Sequence, residues 1–149
     1  MADVPKEYVN MVETGIEFVR RMGLKVVELK RCYVELKAPL EGNLSHVGTM
    51  YAGALFTLAE IPGGALFLST FDVSKYYPIV KEMTIRYKKP VLTDATVKVR
   101  LDEEEAERIT KEADEQGKSE FVLKAEIFDD NGQLVAETDG IYQLRKAGG

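Results

Sequence analysis

Cysteine, histidine and positive charge are all scarce in this chain. Of its 149 residues one is cysteine and one is histidine, and 25 acidic residues outnumber 20 basic ones, for a net charge of −5. A single cysteine, Cys32, excludes an intrachain disulfide framework and fits a reducing compartment. With only His46 beside it, no compact His/Cys site is available within one chain, so no metal is expected. The missing basic excess removes the electrostatic footprint of a nucleic-acid-binding protein. The first ten residues, MADVPKEYVN, have neither the basic start nor the apolar run of a secretory signal. A cytoplasmic location is therefore expected. No repeat, low-complexity tract or linker divides the chain, and residues 1–149 read as one domain.

What is present is an ordinary globular mixture, 45% hydrophobic and 30% charged. The N-terminus reads as one or two short helices, stopped at Gly23. From Leu24 the pattern turns strand-like. Cys32, Val34, Leu36 and Ala38 alternate with Tyr33, Glu35 and Lys37, and Cys32 reads as a packed core residue. A loop over Pro39–Gly48 leads to Thr49, the expected N-cap of an apolar helix. The window Met50–Leu68 is close to membrane-spanning length, but Glu60, Pro62 and its many glycines and alanines argue for a buried central helix instead.

Strands return after Phe71. KEMTIRYKKPV places Met83, Ile85 and Tyr87 on one face, and ATVKVRL repeats the alternation. Asp102 and Glu105 form an aspartate version of a capping box, opening a charged helix that ends at Gly117 with Ala106, Ile109 and Ala113 as its apolar stripe. A hairpin turning at Asn131-Gly132 closes the chain. One apolar helix beside five or six antiparallel strands predicts an α+β architecture with the sheet curled around the helix.

That architecture does not explain Glu60. On a helix, Gly53, Thr57, Glu60 and Gly64 form one stripe of small or polar residues. Two readings stay open. In the first, Glu60 is paired with a basic residue or points to solvent at a kink, and the small residues only allow close packing. In the second, the stripe lines a substrate site with Glu60 as acid/base. Pro62 leaves the Leu58 carbonyl without its helical partner and predicts a kink or break beside Glu60. At the helix start, the first-turn N–H groups carry the positive end of the dipole, and the small residues Ala52 and Gly53 would let a carbonyl oxygen approach them. Glu60 lies two turns on, ~10–12 Å away. A second copy packed antiparallel would bring its own Glu60 to that start, so the geometry favours a composite site in a dimer.

The run N…GTMYAGALFTLAE resembles the motif of hotdog-fold acyl-CoA thioesterases. It is most similar to the phenylacetate-degradation and hydroxybenzoyl-CoA types, and to an uncharacterised subgroup with Gly-Thr-Met before the helix. Asn43 stands for the family's loop Asn, Tyr51-Ala52-Gly53 for its His-Gly-Gly, and Glu60 for its carboxylate. IRYKKPV looks like the strand that follows the helix. The resemblance implies a hotdog fold (an antiparallel sheet wrapped around one long central helix), a homodimer that can pair into a dimer of dimers, and hydrolysis of a small-molecule thioester at the subunit interface. It requires no cofactor, acyl-CoA or an acyl carrier protein thioester being the substrate, and involves neither membrane nor nucleic acid.

In the mechanism so implied, the Ala52 and Gly53 N–H groups hold the carbonyl oxygen. Glu60 of the partner subunit activates water or attacks directly, and Asn43 orients water or substrate. His46, Thr49, Tyr51 and Thr57 are expected around the substrate, with Arg86 and Lys88 near CoA phosphates. Outward-facing basic residues are more often only solubilising. The His46–Glu60 interval also resembles hotdog hydroxyacyl-carrier-protein dehydratases, although SHVG and YAG lack their flanking prolines. His46 reads more simply as a loop residue near the site mouth. A non-catalytic, acyl-binding hotdog dimer is the alternative from a different class.

Overall fold

The computed structural model describes residues 4–148. Helices α1 (Lys6–Thr14) and α2 (Glu17–Met22) come first, and α2 ends where Gly23 takes a positive φ of 79°. The long helix α3 (Ala52–Thr70) separates strands β1 (Lys25–Lys30) and β2 (Tyr33–Ala38) from β3 (Tyr76–Tyr87) and β4 (Ala95–Arg100). Helix α4 (Glu103–Gln116) and strands β5 (Lys118–Asp129) and β6 (Leu134–Lys146) complete the chain.

All pairings are antiparallel, and the sheet order is β1-β2-β4-β5-β6-β3. One face of the sheet is apolar and one polar. In β5, Phe121, Leu123, Ala125 and Ile127 are buried while Glu120, Lys124 and Glu126 face out, as a half-covered antiparallel sheet requires. Helix α3 lies against the apolar side and touches all six strands. It is long and apolar enough to cross a membrane. Nine of its residues, Leu58 and Leu66 among them, are instead buried in the core. The sheet wrapped around one helix is the expected architecture.

Four local expectations need correction. Thr49 does not cap α3. The N-cap is Tyr51, which makes no side-chain cap bond, and the Thr49 hydroxyl pairs with Ser45 Oγ at 3.2 Å across a tight turn. Cys32 is not in a strand core. It sits half-buried at the β1–β2 turn with φ 65°, its N–H held by Thr70 Oγ1 at 3.0 Å. Its thiol is pushed up to about 11, by burial first and then by Glu103. Asp102 is indeed the N-cap of α4, but no capping-box bond forms, because Glu105 is drawn to Arg108 at 2.5 Å.

Finally, no break occurs at Pro62, and α3 runs on through it. A proline inside a helix costs about 3 kcal/mol. Pro62 and its neighbours Leu58, Ala59, Gly63, Ala65 and Leu66 are all buried, so packing on both sides of the ring offsets that loss.

Candidate active site

Glu60 is half-buried on the α3 face that carries Gly53, Thr57 and Gly64. Among the described residues no side chain forms an ion pair or hydrogen bond with it, and burial alone raises its carboxyl above the ordinary 4.5. Two hollows meet at this carboxyl. One, about 410 Å³, lies between α3 and β3 and is lined by Phe56, Thr57, Val80, Lys81, Glu82 and Met83. The Lys81 ammonium is turned to Glu120, 3.5 Å away. The other, about 380 Å³, lies between α3 and the N-terminal helices. Thr57 uses its hydroxyl hydrogen on the Gly53 carbonyl at 2.8 Å, leaving its lone pairs toward the first hollow.

The helix start forms a third hollow of about 590 Å³. His46, Thr49, Tyr51, Ala52 and Lys88 line it together, with Lys89 and Tyr87. The Ala54 and Leu55 N–H groups both bond the Tyr51 carbonyl, at 2.9 and 3.1 Å. Among the described residues the Ala52 and Gly53 N–H groups therefore have no acceptor. Tyr87 donates its phenolic hydrogen to the Ala52 carbonyl at 3.1 Å, tying β3 to this first turn. The Tyr51 ring lies against Gly53, closer than any added Cβ would tolerate.

Asn43 is buried behind the helix start. Its amide hydrogens go to the Met22 and Pro39 carbonyls, both at 2.8 Å, and its own carbonyl accepts the Tyr51 N–H at 2.8 Å. Only the side-chain oxygen remains for a ligand. Replacing Asn43 by Ala strands two carbonyls and is expected to cost about 1–3 kcal/mol. The urea midpoint measures this, and an unchanged midpoint would show that the loop is held by something else.

Arg86 lies on the outer face, 2.7 Å from Asp139 and 3.3 Å from Glu137, and Lys88 is 3.4 Å from the same Glu137. Both cations are already paired across strands. Only Lys88 of the two reaches the hollow at the helix start. Among the described residues no group of three His, Cys, Asp or Glu side chains converges as a metal site.

One neighbour of Glu60 escaped the sequence reading. Tyr142 points inward from β6, and its ring fits between Gly63 of α3 and Gly140 of its own strand. A Cβ added at Gly63 would lie 2.9 Å from the phenolic oxygen, and one at Gly140 2.5 Å from Cε2. Burial first, and then the charge of Glu60, hold its hydroxyl protonated well above the ordinary tyrosine range. The signal was the Gly63-Gly64 pair. Two adjacent glycines inside a helix cost about 1 kcal/mol each, so something must need the space.

In one chain, then, Glu60 and Ala52 line different hollows, and Gly53 lines neither, covered by the Tyr51 ring. A single long helix embraced by an antiparallel sheet, with a carboxylate on its open face, is the hotdog fold. The chain belongs to the family described as "Putative thioesterase (yiiD_Cterm)", whose profile matches residues 6–146. It is similar to a Pseudomonas aeruginosa protein, PA5026, described as of unknown function and a "Probable Thioesterase". The two are 49% identical over 95% of this chain and 96% of that one, with a TM-score of 0.92. A protein from Shewanella oneidensis, described as a putative thioesterase, shares the fold at 23% identity, over 93% and 98% of the two chains, with a TM-score of 0.75. The Haemophilus influenzae thioesterase HI1161 shares it at 12% identity, over 100% and 94%, with a TM-score of 0.75. No match was found among curated proteins.

Proposed function

We propose that this protein hydrolyses acyl thioesters at a site completed by a second copy of the chain. The observation that carries the reading is Glu60, a half-buried carboxylate with no partner among the described residues and open space on both sides. Family membership supports the reaction class.

The dimer is supported by β3, an edge strand of the sheet. An open edge leaves backbone N–H and C=O groups free for pairing with another chain. Val80 on it is 43% exposed, and Phe56 of α3 and Tyr51 just before it are 38% and 57% exposed. An antiparallel copy across this edge spans the ~10–12 Å that separates Glu60 from the helix start within one chain.

The thioester carbonyl oxygen accepts hydrogen bonds from the Ala52 and Gly53 N–H groups of one protomer. Glu60 of the other takes a proton from water as the hydroxide forms a bond to the carbonyl carbon. The charge that develops on the oxygen is held by the two N–H groups, each worth about 2.7–4 kcal/mol in such sites. Collapse of the tetrahedral intermediate breaks the C–S bond, and the thiolate leaves with the proton returned from Glu60. Asn43 acts through the loop that presents the helix start, with its remaining oxygen available to water. His46, Thr49, Tyr51 and Thr57 contact substrate, and Lys88 faces the phosphates of CoA. Arg86 adds long-range positive charge.

The test is complementation. Ala52→Pro removes one N–H at the first helical position, where proline is favoured and the preceding Tyr51 already has φ −59° and ψ 136°. Co-expressed with Glu60→Gln chains, it should recover about a quarter of wild-type thiol release, because half of the random dimers carry one intact site of two. No recovery above the separate variants would show that both groups serve from one chain. The Tyr51 ring over Gly53 favours a second reading, an acyl-binding dimer without turnover. Acyl-CoA binding with no thiol release from the wild type would establish it.

A further inference from the structure

The hollow between α3 and the N-terminal helices is not needed for the chemistry just described, yet it opens at the same carboxyl. Its volume is about 380 Å³. A dry cavity of roughly 150 Å³ already takes a benzene-sized apolar ligand. The walls are Met11 and Ile16 on one side and Ile61, Phe67 and Leu68 of α3 on the other, and among the described residues Glu60 is the one ionisable group lining it. Met11 and Ile16 are 52% and 54% exposed, and with Ile61, Phe67 and Leu68 they make one contiguous apolar surface rather than scattered single side chains.

Gly64 lies on this side, one helical turn beyond Glu60. Unlike Gly63, it faces open space, with nothing within 4 Å of an added Cβ.

We propose that this groove holds the acyl tail of the substrate, an uncharged aliphatic chain, and that Gly64 sets how long a tail it takes. The assignment rests on the thioesterase reading above. It follows from continuity: a carbonyl carbon attacked by a water on Glu60 leaves one substituent directed to the helix-start hollow and the other to the groove. The helix-start hollow carries Lys88, Lys89 and His46 and suits the polar, phosphorylated carrier. Among the described residues the groove has no cation, so an acyl chain ending in a carboxylate would enter beside Glu60 without a counter-charge.

The experiment compares the wild type, Gly64→Leu and Ile16→Trp over straight-chain acyl-CoAs from acetyl- to palmitoyl-CoA, with succinyl-CoA beside the neutral butyryl-CoA. Ile16→Trp narrows the groove from its exposed wall, where folding is not at stake. Both variants should lower the ratio of long-chain to acetyl-CoA kcat/KM by about tenfold or more, the scale on which apolar pockets discriminate chain length. Wild type should prefer butyryl- to succinyl-CoA. Calorimetric titration with the non-hydrolysable thioether dodecyl-CoA gives a readout independent of turnover, and both variants should weaken it by a similar factor.

Hydrolysis with the same length profile in all three proteins, or a preference for succinyl-CoA, overturns the groove. Binding that depends on Gly64 without hydrolysis by the wild type overturns the thioesterase reading and leaves the groove standing. Neither binding nor hydrolysis overturns both.

Discussion

Glu60→Gln is expected to lower kcat/KM for thioester hydrolysis by about 10²- to 10⁴-fold, the range a positioned general base contributes. Gln keeps the size and polarity of the side chain and removes only the ability to take a proton. A change within experimental error would remove Glu60 from the chemistry.

The wild-type pH profile follows from the same residue. Burial raises the Glu60 carboxyl above 4.5. The base is the ionised form, so kcat/KM should fall as pH drops through this raised value, at a higher pH than an exposed glutamate would give. Glu60→Gln should abolish that limb.

Stability should move the other way. The folded chain binds the Glu60 proton more tightly than the unfolded chain does. The stability linked to this group is therefore fully present below the unfolded value and is lost as pH rises through the folded one. At neutral pH the wild type carries a half-buried charge without a partner among the described residues, and Gln carries none. Glu60→Gln should thus show a Tm above the wild type at neutral pH, with the gap closing in acid. A protein that loses activity while gaining stability at one position is the expected signature of a functional carboxylate.

The second large effect is at Gly63. Gly63→Val should cost about 3 kcal/mol, at the upper end of what overpacking a filled core costs, and lower Tm by ~6–12 °C for a domain of this size. The ring of Tyr142 cannot retreat from the new methyls, because the opposite ring edge already rests on Gly140. Gly64→Ala, one residue along, meets open space. It should stabilise by about 0.4–1 kcal/mol, mainly by reducing the freedom of the unfolded chain. Thermal unfolding of the two variants checks the contrast, and a double variant Gly63→Val/Tyr142→Ala should lose less than the sum of the two single losses, because the clash disappears with the ring. If both glycine variants shift Tm in the same direction, the ring is not where this packing requires it.

Period and punctuation made most of the fold legible. Val34, Leu36 and Ala38 alternate inward on β2 as the strand period demands. Gly23, Gly117 and Gly132 take the positive φ that ends α2, ends α4 and turns the last hairpin. The near-uniform apolarity of α3 announced a helix covered on most sides. These signals are local. They report which way a backbone repeats and which side it buries, and they do not depend on what lies opposite. The caps failed for the complementary reason: Thr49 falls two residues before the true N-cap and pairs with Ser45, and Glu105 has the right type and place but Arg108 offers a competing partner.

The residue types of the candidate site were equally local. An acid on an apolar helix and two small residues at its start stand out in any window. Their arrangement was a different matter. That Tyr142 lies against Gly63, across almost eighty residues, depends on the register of β6 against β5 and β3. That Met11 and Ile16 face α3 to form a groove depends on how the N-terminal helices dock. The chain by itself determined its elements, its core faces and the identity of the one acid on its apolar helix, because those follow from backbone period and the cost of burying charge. Only the tertiary structure decided what surrounds that carboxylate, because side-chain contacts between distant segments are set by packing and strand register, on which local periodicity carries no information.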